Sequence, residues 1–183
     1  MLPLGATVTS MDTDSAAGSL ADWFDQMADA MRDGTETDVP CETCMACCES
    51  SLFVRVEQDE AALDHIPQDL LAPAPGQPGV FVLGYDTEGR CPMLGADGCT
   101  IYAHRPRGCR VFDCRIFAAT DIAPEATHVA LRTRSQQWTF ELDSDRDQAV
   151  RAALDHAAEL DAEGIAGALR TFDAAAYALR SGH

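Results

Sequence analysis

All eight cysteines of this 183-residue chain fall between residues 41 and 114, in two tight groups. The first reads Cys41-Glu-Thr-Cys44-Met-Ala-Cys47-Cys48. The second opens with Cys91-Pro-Met-Leu and resumes as Cys99-Thr-Ile-Tyr-Ala-His-Arg-Pro-Arg-Gly-Cys109-Arg-Val-Phe-Asp-Cys114. Because no thiol lies outside that window, the cysteines belong to one piece of local architecture. Two intervening residues let a chain fold back so that both sulfurs reach one ion, the usual way of capturing a soft or borderline metal. An even cysteine count also permits four disulfides, but adjacent Cys47 and Cys48 and the two-residue loops suit chelation better than bridging. Cys41, Cys44, Cys47, Cys48, Cys91, Cys99, Cys109 and Cys114 are therefore the candidate metal ligands.

Which metal they hold is left open by the spacing. Cys41, Cys44 and Cys47 form a C-x2-C-x2-C run of the kind that grips iron in cubane clusters, with a remote fourth cysteine before proline, here Cys91-Pro92. The same residues suit zinc, which takes four tetrahedral ligands. Neighbouring side chains point apart, so Cys47 and Cys48 should not serve one small ion together. The expected cofactor is zinc or iron, the latter as an ion or as an iron–sulfur cluster. Four thiolates around a divalent ion leave negative charge, and Arg105, Arg107 and Arg110 stand next to the second group, with His104 and Arg115. Arginines so placed can donate to sulfur, form an adjacent anion pocket, or pair with surface carboxylates. His65, His128 and His156 read as ordinary surface or core residues.

The net charge of -17 is spread along the chain and disfavours sequence-independent binding to nucleic acid or to anionic membranes. No stretch approaches the length of a membrane span, and the N-terminus lacks the features of a secretory signal. The reading is a cytoplasmic protein, where thiols stay reduced. Its expected partners are a metal ion and a redox or protein partner. With 46% hydrophobic residues the chain has enough apolar surface for a core independent of metal.

The fold class expected is α+β: a small cysteine-rich metal-binding core with short strands, flanked by an N-terminal amphipathic helix and a C-terminal helical pair. Residues 1–18 read as a disordered tail, 19–143 as the metal-binding domain, and 144–183 as a helical segment packed on it. Ser19 caps a helix whose stripe Leu20, Trp23, Phe24, Met27 and Met31 docks on the core, and Gly34 ends it. Strands are predicted over 51–57, 80–85 and 100–102, a short helix over 59–66, and a loop over 72–79. Pro106 starts a helix that carries Cys109 and ends near Cys114. Residues 127–134 and 137–142 predict a β-hairpin. Ser144 caps a helix with an apolar stripe of Val150, Leu154, Ala157 and Leu160 or Asp161, which Gly164 separates from an Ala-rich second helix.

The blocks Cys41-x2-Cys44-x2-Cys47-Cys48 and Cys91-Pro-Met-Leu…Cys99-Thr-Ile-Tyr-x-x-Arg105-Pro106-x-x-Cys109-Arg110-x-Phe112-x-Cys114 resemble the YkgJ-like cysteine-cluster proteins of the CxxCxxCC type. The resemblance covers residues 41 to about 117. It implies a cytoplasmic zinc- or iron-chelating domain, in some members an iron–sulfur protein. Asp113 stands where proline is common in that family, a departure expected to loosen the local turn while leaving the ligands intact. No phosphate loop, nucleophile–base pair or zinc-protease helix is present. The function read from the sequence is thus metal binding through both cysteine groups. The alternative is a small enzyme or redox switch that uses the metal centre or vicinal cysteines.

Overall fold

The structure, a computed structural model, describes residues 15–37, 39, 44–158 and 162–182. Cys41, Leu160, Asp161 and the first fourteen residues of the expected disordered tail lie outside the described residues. The chain is α+β. From Ser15 it runs as a strand, β1 (Ser15–Ser19), straight into helix α1 (Leu20–Asp33). Ser19 caps α1 by accepting from the Asp22 N–H at 3.2 Å. Gly34 closes it in the left-handed region (φ 68°) and returns its N–H to Ala30. A side chain there would be strained, and its Cβ would lie 2.7 Å from Arg107 Nε. The apolar stripe is buried as expected: Leu20, Trp23, Phe24 and Met27 are all in the core. Each such side chain contributes about 1.5–3 kcal/mol on burial.

The middle of the chain is built from short pieces. Strand β2 (Val54–Glu57) is shorter than predicted, and the helix expected over 59–66 is a single 3-10 turn, Ala61–Asp64. Strand β3 (Leu71–Pro73) runs into the start of the predicted loop and joins β4 (Val80–Leu83) as an edge strand, the place where proline is tolerated. The sheet order is β2-β4-β3, antiparallel throughout. A two-residue turn with Gly98 at φ 118° links β5 (Leu94–Gly95) to β6 (Gly98–Cys99). The strand predicted over 100–102 is not formed: β6 ends at Cys99, and Tyr102–His104 is a 3-10 turn.

The helix that opens after Pro106 is broken. Helix α2 (Arg107–Val111) stops at Phe112, whose backbone is extended (φ -72°, ψ 122°), and α3 (Arg115–Thr120) begins at Cys114. Two further expectations fail in the next stretch. Residues 127–134 are not a strand but helix α4 (Val129–Ser135), and β7 (Trp138–Glu141) pairs in parallel with β1 instead of folding back in a hairpin. The reason lies in burial spacing. A strand would have put Val129 and Leu131 on one face; the helix buries Leu131 and Ser135, four apart, and leaves Val129 67% exposed.

Helices α5 (Asp145–Ala157) and α6 (Gly164–Ser181) pack on each other, on α1 and on α3. Phe172 of α6 sits 5.8 Å from Trp23 and 4.5 Å from Phe24, ring centre to ring centre. The molecule thus has one large core made by α1, α3, α4, β7, α5 and α6, and a smaller one around Val56, Ala62, Ile66, Leu83 and Ile101.

Asp147 joins α1 to α5. Its carboxylate accepts from the Ser144 N–H and hydroxyl in a capping box, and from the Ser19 hydroxyl and the Ala21 N–H at the start of α1. The Ser144 hydroxyl first, then the Ala21 N–H, hold the carboxyl well below the usual carboxylate range. A depressed folded-state pKa gives stability that is fully present above the unfolded value near 4 and is lost as pH falls toward the folded one. Asp147→Ala is expected to lower the melting temperature by several degrees at pH 7 and to flatten the fall in stability below pH 4. Thermal melts of both proteins between pH 7 and pH 2.5 check this; parallel pH profiles would contradict it.

Candidate metal centre

The described part of the first cysteine group, Cys44 to Cys48, leads into a compact turn. The Glu49 N–H bonds the Met45 carbonyl, the Ser50 N–H bonds Cys47, and the buried Ser50 hydroxyl donates to the Ala46 carbonyl. The same hydroxyl accepts from the Leu131 N–H at 3.1 Å, which anchors the turn on α4. Ser51 ends the turn at positive φ (52°), and both its N–H and its hydroxyl donate to the Gly89 carbonyl. One step along, the Cys91 N–H donates to the Cys48 carbonyl at 2.7 Å. The backbone therefore clips the two cysteine groups side by side.

Cys91 then opens a turn closed by the Leu94 N–H, Cys99 pairs with Leu94 in the β5–β6 hairpin, Cys109 rides on α2, and Cys114 stands at the start of α3. All seven described cysteines, Cys44, Cys47, Cys48, Cys91, Cys99, Cys109 and Cys114, line one cavity of about 300 Å³. It sits between the two cores: Cys47 and Cys114 pack with the large one, Cys91 and Cys99 with the small one. Its remaining wall is mostly apolar, from Leu52, Val54, Leu83, Ile101 and Phe112, with Arg55, Arg105 and Arg134 as its cationic residues. Among the described residues, no three His, Cys, Asp or Glu side chains converge tightly enough to cage an ion. The sulfurs share a cavity without closing on one point.

Within it the thiols differ. Cys48 donates its proton to Cys91, which drives the Cys48 pKa sharply up and brings that of Cys91 down to about 7. Burial raises Cys99, and burial together with neighbouring Cys91 and Cys99 pushes Cys109 up to about 12. Cys48, Cys99 and Cys109 are thus held as thiols at neutral pH, and a cation bound through them would release those protons. Many soft donors, an apolar wall and neighbouring arginines fit a thiolate-bound metal, where excess negative charge needs neighbouring positive charge.

The arginines expected beside the site divide. Arg105 lines the cavity, lies 4.0 Å over the Tyr102 ring, and reaches Glu36 at 3.4 Å. Arg110 donates to the Arg105 carbonyl and approaches the same Glu36 at 3.9 Å. Arg107 and Arg110 line a separate polar pocket with Glu57, Asp59, Glu60 and His104. Glu36 offsets the charge of Arg105 and Arg110, while the Arg107 guanidinium donates to the Met31 carbonyl. Arg115 is buried against Asp113, its guanidinium 5.9 Å from the Trp138 ring centre.

Asp113 corrects a second expectation. Instead of loosening the turn before Cys114, its carboxylate tightens it: it accepts from the Arg115 N–H at 2.9 Å, from the Arg115 guanidinium at 2.7–3.1 Å, and from Trp23 Nε1 at 3.0 Å. The sequence reading also missed Trp138 and Arg134 as cavity residues. Their distance along the chain from every cysteine except Cys114 left no local signal.

With this geometry in view, the comparisons are direct. The family model CxxCxxCC, "Putative zinc- or iron-chelating domain", matches residues 40–136, just over half of the chain. The chain belongs to the CxxCxxCC family. No significant match to a curated protein or to a solved structure was found. Membership supports metal binding in general, with zinc or iron as the metals the family description names. Among the described residues no helix is long and apolar enough to cross a membrane.

Proposed function

We propose that this is a cytoplasmic metal-binding protein that holds zinc or iron, the latter as an ion or as an iron–sulfur cluster, through thiolates of both cysteine groups. The observation that carries the reading is the shared cavity: groups 43 residues apart at Cys48 and Cys91 are clipped together by backbone and turn seven sulfurs to one space. Cys41, Cys44, Cys47, Cys48, Cys91, Cys99, Cys109 and Cys114 are the proposed donor pool. Residues 19–143 would form the binding unit, with 144–183 packed on it. Bound zinc would supply a closed structural centre or a Lewis acid, and bound iron–sulfur a one-electron carrier.

Purification under strictly anaerobic conditions without added metal, followed by elemental analysis and a visible spectrum, tests this. Colourless protein with near-stoichiometric zinc, or brown protein with iron and acid-labile sulfide, is the expected result. Protein that carries neither metal and takes up neither would overturn it.

One contact favours a second reading, a redox switch. The Cys48 and Cys91 thiols are hydrogen-bonded to each other, and the Cys91 N–H donates to the Cys48 carbonyl beside them. With hydrogen peroxide as oxidant, the two thiols would give up two protons and two electrons to form one S–S bond, and the peroxide would leave as two waters. Peptide mapping after brief peroxide exposure should find a Cys48–Cys91 disulfide; its absence at full thiol loss elsewhere would reject the switch.

A further inference from the structure

Cys114 is only 4% exposed. A thiolate at such a position has little water to stabilise it, so protein donors must meet its charge. One donor is already in place: Trp138 Nε1 points at Cys114 Sγ from 3.2 Å. The indole N–H is a donor only, and in this core position it is committed to sulfur. The ring is itself held. Arg134 lies 4.1 Å over it, and the Arg134 guanidinium is fixed by Ser15 Oγ at 2.7 Å and Gln137 Oε1 at 3.0 Å. Ser15 is also the register partner of Trp138 across the parallel β1–β7 pair. An unremarkable segment, Ser15–Ser19, thereby fixes the orientation of a group that touches the cavity.

We propose that Trp138 is a positioning residue of the metal centre. Its N–H holds Cys114 Sγ in the cavity wall and meets the charge of the bound thiolate, with Arg134 over the ring as the supporting cation. The inference rests on the metal-binding reading and adds to it a residue outside the cysteine motif. Hydrogen bonds to ligand sulfur of this kind orient ligands and set affinity or potential, and their loss typically costs about 10–100-fold in metal affinity.

The test uses the full chain, stripped of metal anaerobically, with zinc affinity measured against a chromogenic chelator. Trp138→Phe keeps a ring for Arg134 and removes only the donor. The expected result is a zinc Kd raised by about 10–100-fold, with circular dichroism of the metal-free protein unchanged. Equal affinity in wild type and Trp138→Phe would overturn the inference and leave metal binding standing. Failure of the wild type to bind zinc or iron at all would overturn both.

A second measurement guards against a variant that does not fold. The chain has two tryptophans, so in Trp23→Phe all indole emission comes from Trp138. Saturating cobalt(II) should quench that emission strongly through the contacted sulfur. Emission indifferent to cobalt, in protein shown spectroscopically to bind it through thiolates, would overturn the role assigned to Trp138.

Discussion

Asp113→Ala is expected to destabilise the protein by about 3–5 kcal/mol, the usual consequence of removing one partner from a buried ion pair. Asp113 is 1% exposed and the Arg115 side chain 7%. The substitution deletes the carboxylate from four donors at once: the Arg115 N–H, two guanidinium nitrogens and the Trp23 indole. A buried guanidinium stripped of its carboxylate is far costlier than a lost surface ion pair, which contributes about 0–1 kcal/mol. For a chain of this length the loss corresponds to a fall in melting temperature of roughly 6–20 °C. Asp113→Asn should lie between, because it keeps the shape and one acceptor but gives up the charge. Thermal melts followed by circular dichroism decide the matter. A shift below about 2 °C for Asp113→Ala would show that the pair is relieved by water or by a repacked Arg115. The consequence reaches the cavity, since Asp113 fixes the turn into Cys114 and ties it to α1 through Trp23.

That role was hidden in the sequence, where Asp113 was visible only as a departure from a family pattern. Its partners are two residues downstream and ninety upstream, and no local pattern reports a pairing at such separation. The features that were legible are those whose cause is local. Ser19 and Ser144 cap helices through bonds to residues three positions on, Gly34 closes α1 with a backbone only glycine adopts readily, and the α1 stripe follows helical spacing. The strands show the converse. β1 is Ser-Ala-Ala-Gly-Ser, with no alternation, and exists because β7 lies beside it. Residues 129–135 carry β-branched side chains, yet helix wins because it buries Leu131 and Ser135 and places the Leu131 N–H on the Ser50 hydroxyl.

The candidate site divides along the same line. The cysteine spacing announced chelation, and the cavity brings both groups together. Arg105 and Arg110 approach Glu36, some seventy residues upstream, a pairing that the cysteine motif does not announce. Trp138 and Arg134 were underread because only the parallel β1–β7 pairing delivers them to Cys114.

Cys109→Ser and Cys44→Ser should each strip the protein of most of its metal and lower the melting temperature of the metal-loaded form by more than about 10 °C. Binding energy of a structural metal is folding energy, so losing a ligand withdraws several kcal/mol from the folded state. The comparison that isolates this effect is made with and without a chelator. In the metal-free protein burial pushes the Cys109 thiol up to about 12, so serine replaces a neutral thiol by a neutral hydroxyl. The cost there should stay near that of a modest core change, about 1 kcal/mol. Wild type should therefore lose much of its thermal stability on chelation, while both variants lose little. Elemental analysis of the same samples links the two quantities. Variants that keep wild-type metal content and the wild-type response to chelator would remove Cys109 and Cys44 from the ligand set and leave the centre to the other sulfurs of the cavity.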